Sequence, residues 1–217
     1  MKTDSQLKQD VTNELKWEPS VNETHIGVSV KNGIVTLSGH VPTYGEKYGA
    51  EKAAKRVAGV KAVADELDVK LASSATRTDE DIAAACLAAL KAHSSVPDEK
   101  IKLVVNSGWI TLEGLVDWQY QKTAAESAIR YLNGVLGITN SIKLVPRATI
   151  ADVKDKIEAA FKRSARIDAA GIVVEVHDGK VTLRGKVHSL TEKTDAQYAA
   201  WSAPGVFVVE NDLVVTA

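Results

Sequence analysis

Histidine, cysteine and serine are the side chains that most often carry proton transfer, metal ligation or nucleophilic attack, and their spacing in this chain assembles none of these. The five histidines are His25, His40, His93, His177 and His188. They recur in no His-x-x-x-His pattern, and the single cysteine, Cys86, leaves no Cys-x-x-Cys pair and no intrachain disulfide. No serine stands in G-x-S-x-G, and no phosphate-cradling glycine loop is present. The chain is therefore expected to hold no metal, no cofactor and no catalytic residue.

Aromatic and apolar side chains offer the other kind of chemistry, contact with a membrane or a partner. Three segments carry them at related places: Pro42-Thr43-Tyr44, Asp117-Trp118-Gln119-Tyr120 and His188-Ser189-Leu190. Tyrosine and tryptophan suit an interface because each joins an apolar body to a polar tip. Tyr44, Trp118, Tyr120 and Leu190 are accordingly the candidate membrane or partner contacts, expected on loops leading into helices. The alternative is that they cap the core or fill contacts between repeats. Trp17, Trp109 and Trp201 have no aromatic counterparts at matching positions and are expected to mark where units meet each other or another chain.

The elements that position these residues follow from an internal repeat. G-x-x-T-L-x-G occurs at Gly33–Gly39, Gly108–Gly114 and Gly179–Gly185, so its second glycines lie 75 and 71 residues apart. A Gly-Val pair follows each by 20 residues, at Gly59, Gly134 and Gly205. Before each motif, apolar residues spaced by four (Leu7, Val11, Leu15; Ile82, Cys86, Leu90; Val153, Ile157, Phe161) predict a helix with one buried stripe. Cys86 falls on that stripe and is expected to be packed rather than reactive. Strict alternation then predicts a strand (Ile26, Val28, Val30; Ile101, Leu103, Val105; Ile172, Val174, Val176). Asn32-Gly33, Ser107-Gly108 and Asp178-Gly179 predict a tight hairpin turn into a second strand. An alanine-rich helix over 46–57, 121–132 and 192–203 follows, and a last strand ends at Val69, Leu144 or Val215. The early spacing of that strand predicts a bend or bulge. The nine recurring glycines, Gly33, Gly39, Gly59, Gly108, Gly114, Gly134, Gly179, Gly185 and Gly205, read as structural: turns, strand ends, close helix packing and helix terminators.

Each unit is thus αββαβ, and the fold class is α+β: three tandem modules over 1–72, 76–146 and 148–217. Each is expected to be a three-stranded mixed sheet with two helices on one face. Short polar linkers, Ala72–Thr76 and Pro146-Arg147-Ala148, join them.

The hairpin motif, the Gly-Val pair and the run V-x-[DN]-x-[LI]-x-[VL] (Val63–Val69, Ile138–Leu144, Val209–Val215) together resemble the BON domain family. The resemblance covers nearly the whole chain. It implies the αββαβ fold, no catalytic activity, and a role in osmotic or envelope stress, with phospholipid membrane surfaces or envelope and transport proteins as partners. Relatives also imply two alternatives, assembly into a homo-oligomer and potassium sensing. The chain departs from the family's best-known periplasmic type in having three copies rather than two.

Composition narrows the partners further. The net charge is −1, and acidic and basic residues balance within each repeat. That leaves no positive field for nucleic acid and little attraction to anionic lipid by charge alone. The start, Met1 to Leu15, mixes charges and has no apolar run, so as written the chain is expected in the cytoplasm, and in the periplasm if a leader was removed.

Overall fold

The structure is a computed structural model and describes residues 2–146 and 152–216. Arg147 and Ala148 of the expected second linker, and the first residues of the expected third module, lie outside the described residues. The first module runs α1 (Asp4–Trp17), β1 (Ile26–Lys31), β2 (Ile34–Val41), α2 (Tyr44–Arg56) and β3 (Ala62–Val69). The second runs α3 (Asp79–Ala92), β4 (Ile101–Asn106), β5 (Trp109–Val116), α4 (Gln119–Ile129) and a split last strand, β6 (Gly137–Asn140) and β7 (Lys143–Leu144). The third runs α5 (Val153–Arg163), β8 (Ile172–His177), β9 (Lys180–Val187), α6 (Leu190–Trp201) and β10 (Val208–Val215).

Every sheet has the same topology. The hairpin strands pair antiparallel, from Ile26 opposite Gly39 to Lys31 opposite Ile34 in the first module. The last strand then joins β2, β5 or β9 in parallel, so the middle strand is central and the sheet is mixed. This is the three-stranded mixed sheet that the periodicity predicts. Each module closes its own core. Leu7, Val11 and Leu15 of α1 meet Val35, Leu37 and Val41 of β2 and Ala50, Ala53 and Ala54 of α2. Equivalent cores gather around Ile82, Cys86 and Leu90, and around Val153, Ile157 and Phe161. The alanines let the second helix lie close to the sheet. Truncating a filled position such as Leu15 or Phe161 to alanine is worth roughly 2–5 kcal/mol.

The hairpin turns have the geometry that their residues specify. Asn32, Ser107 and Asp178, each followed by its glycine, take φ between 46° and 78°, the doubly left-handed form of a two-residue turn. The first turn of the preceding helix clasps two of them. Asp4 accepts from the backbone N–H groups of Asn32 and Gly33, and Asp79 does the same for Ser107 and Gly108, at 2.7–3.0 Å. The positive end of the helix dipole favours an acid there. The clasp adds a tertiary reason.

The bend or bulge expected early in the last strand is absent from β3 and β10, whose pairing runs unbroken, and only the second module interrupts the strand, in its middle. Asp65, Asn140 and Asn211 sit on the inner face, and each accepts from the N–H two residues on (Leu67, Ile142, Leu213). In the second module this local turn interrupts the strand between β6 and β7. The polar position of the V-x-[DN]-x-[LI] run is thereby explained. Asn140 and Asn211 also donate to the carbonyls of Lys122 and Lys193 on the helix above, so this partly buried polar group is satisfied.

Candidate functional site

The four candidate contact residues stand at the starts of second helices, not on loops, because each of these helices begins two residues earlier than its alanine pattern suggests. Thr43 and Ser189 cap α2 and α6 with their hydroxyls, accepting from Glu46 and Glu192. At the matching position of α4 stands Trp118, which has no capping oxygen. Gln121 compensates by accepting from the backbone N–H groups of Asp117 and Trp118 at 3.0 Å. The usual cap is thus replaced by a large aromatic ring.

The structure divides the four residues into two pairs. Tyr44 is half-buried and packs against the core of the second module, where burial raises its phenol above the ordinary value. Leu190 packs against the cores of both the third and the first modules. Both therefore hold modules together. Further bonds tie the first and third modules: Gly59 N–H donates to the His188 carbonyl, and the Thr191 hydroxyl to the Lys55 carbonyl, each at 3.2 Å.

Trp118 and Tyr120 behave differently. They line a cleft of about 690 Å³ between the second and third modules. Tyr198 and Trp201 of α6 face them, and His93, at the end of α3, completes the wall. Tyr120 and Tyr198 remain 59% and 45% exposed, so the aromatic wall is open to an incoming group. Of these residues, sequence reasoning placed Trp201 at a junction and left Tyr198 and His93 unassigned. Tyr198 lies on the outer side of α6, one helical turn before Trp201, and an aromatic pair at that spacing is the signal that could have found it.

The open sheet faces differ among modules. On the second, Val104, Trp109 and Leu115 are each at least half exposed, with the Trp109 indole donating to the Thr139 hydroxyl. On the third, Arg184 pairs with Glu175, and Lys180 with Glu210. On the first, the rings of His25 and His40 stack at 4.7 Å. The remaining open question for reactivity is Cys86. It is fully buried, and that burial pushes its thiol up to about 11, so the thiolate is scarce near neutral pH. No group of three or more His, Cys, Asp or Glu side chains placed to hold a metal occurs among the described residues.

The family model described as the BON domain matches residues 3–70, 78–146 and 149–217. The chain belongs to the BON domain family, with three tandem copies. It is 32% identical over 148 residues to the osmotically-inducible protein Y of Escherichia coli (strain K12), which covers 64% of this chain and 72% of that protein. Among solved structures, the C-terminal domain of CdsD, described as the structural protein of the type III secretion system of Chlamydia trachomatis, is 17% identical over 97% of this chain and 98% of that one. Its TM-score is 0.27.

Proposed function

We propose that this chain is a non-enzymatic binding protein of osmotic or envelope stress, which meets a phospholipid membrane surface through the cleft of Trp118, Tyr120, Tyr198 and Trp201. The observation that carries the reading is the clustering of four aromatic side chains from two modules around one open cleft. Indole and phenol rings partition to the lipid–water interface because the ring is apolar and its N–H or O–H still reaches water. The similarity to an osmotically inducible protein supports the stress setting. Among the described residues no helix is long and apolar enough to cross a membrane, so the contact in this reading is superficial. The balanced charge makes it depend on apolar insertion more than on anionic lipid.

Co-sedimentation with vesicles of mixed phosphatidylethanolamine and phosphatidylglycerol tests it. The full chain pellets with vesicles, and Trp118→Ala with Tyr120→Ala stays in the supernatant. Failure of the wild-type chain to pellet with vesicles of any composition removes the membrane reading.

A second reading rests on the exposed apolar face of Val104, Trp109 and Leu115. That face could join two copies of the chain into a homo-oligomer. Light scattering that returns a monomer at all concentrations, with Trp109→Ser unchanged, removes it.

A further inference from the structure

The second helices of all three modules, α2, α4 and α6, converge on a polar chamber of about 630 Å³ beside the aromatic cleft. Its charges do not balance. Each carboxylate on its wall already faces a cation: Glu51 with Lys55 at 2.5 Å, Glu126 with Arg130 at 2.8 Å, and Asp195 with Arg166 at 3.5 Å. Arg56 also lines the chamber, but Glu14 and Glu18 hold it, both at 2.8 Å. That leaves two lysines, Lys52 and Lys122, whose ammonium groups have no hydrogen bond or ion pair among the described residues.

Lys122 is exceptional within the repeat. Its counterparts Lys47 and Lys193 donate to the carbonyls of Leu67 and Leu213, at 2.5 and 2.7 Å, and Lys47 also faces Asp65 at 3.4 Å. In the second module the acceptor's place falls at Ile142, inside the interruption between β6 and β7, and Asn140 stands where the first module has Asp65. Lys122 has thus lost both anchors and is turned over to the chamber wall. Burial holds its ammonium below the ordinary lysine range.

Arg130 adds a fixed charge at the same wall. The Arg130 side chain is 8% exposed, and its Nε is the one buried side-chain nitrogen or oxygen among the described residues with no hydrogen-bond partner. A buried donor left unmatched is rare and costly. The same guanidinium stands at the chamber wall.

We propose that the chamber is an anion site for a small phosphate-bearing ligand, with Lys122 and Lys52 as the free charges and Arg130 as the fixed guanidinium behind them. Two ammonium groups without an ion pair match a dianion better than a single carboxylate, and lysine binds phosphate as a point charge without demanding one geometry. The phosphate can belong to a soluble ligand or to a lipid headgroup. The chamber adjoins the aromatic cleft and shares Gln119, Thr123 and Tyr198 with it, but its charged groups take no part in the cleft, so pyrophosphate binding tests it apart from the membrane reading.

Isothermal titration of the full chain with pyrophosphate, at constant ionic strength set by sodium chloride, tests this. The expected result is one site per chain, with affinity reduced at least tenfold in Lys122→Met and unchanged in Lys8→Met on the distant α1 helix. Lys122→Arg keeps the charge and retains binding within a few fold, which separates loss of the site from loss of folding. Pyrophosphate binding that persists beside excess phosphatidylglycerol vesicles assigns a soluble ligand, and displacement by those vesicles assigns a headgroup. Absence of pyrophosphate binding, or equal binding by wild type and Lys122→Met, overturns the proposal.

Discussion

The guanidinium carbon of Arg130, in the second module, lies 3.6 Å from the ring centroid of Tyr48, in the first. Burial works against the Arg130 charge, and the hydrogen bond to Glu126 leads the effects that more than offset it. A desolvated cation–π contact is worth about 2 kcal/mol. A double-mutant cycle of Arg130→Met and Tyr48→Leu, read by urea unfolding of the full chain, is therefore expected to give a coupling of about 1–2 kcal/mol. Strict additivity would show that the two modules do not communicate through this pair.

Gly39 makes a different demand on the sequence. It lies inside β2 at φ 116°, and a Cβ there would stand 2.0 Å from the His25 carbonyl oxygen. Gly185 repeats this, 2.0 Å from the Gly171 carbonyl oxygen. These glycines permit a close approach within the strand and do not mark its end. Gly39→Ala is expected to destabilise by about 2–4 kcal/mol, from unfavourable backbone plus forced displacement of the turn. Gly33→Asn, at a turn where Asn32 is already left-handed, should lower stability far less. Thermal unfolding of both variants checks the contrast; equal losses would contradict it.

Glu192 supplies a pH dependence. Burial opposes its charge, yet the backbone N–H groups of His188 and Asp168, at 2.7 and 2.8 Å, leave its carboxyl below the ordinary glutamate value. A folded-state pKa lower than the unfolded one means that the ionised form stabilises the fold at neutral pH. That contribution fades as pH falls from about 4.3, the unfolded value, through the lower folded one. Glu192→Gln is expected to be about 1–3 kcal/mol less stable than wild type at pH 7, with the gap closing below pH ~4. A gap that widens in acid would reverse the sign and refute the assignment.

Much of this was legible before any coordinates. Apolar residues at spacings of four and two, repeated around three identical glycine motifs, leave few ways to bury three equivalent cores. What escaped was set by tertiary context. Helix starts moved by two residues because Thr43 and Ser189 act through their capping hydroxyls, a local choice that the alanine stripe does not encode. Tyr44 and Leu190 take the alternative role, filling contacts between repeats, and which of the four candidates would do so depends on which module covers which helix. Tyr198 and Lys122 drew no notice because neither stands out in one dimension. One gains meaning from the helix across the cleft, the other from an acceptor present in two repeats and missing in the third. The Asp4 and Asp79 clasps were within reach, since both hold the same repeat position, but the macrodipole already accounted for an acid there.

The central claim is that the aromatic cleft, and not another exposed surface, meets the bilayer. Its most direct test is fluorescence quenching by lipids brominated on their acyl chains, using two full-length variants that keep only Trp118 or only Trp109, with the other tryptophans replaced by phenylalanine. Strong quenching of Trp118 is expected, with little of Trp109, which stands on the open sheet face of the same module. Trp118 emission indifferent to brominated lipid, or equal quenching of both, would contradict it.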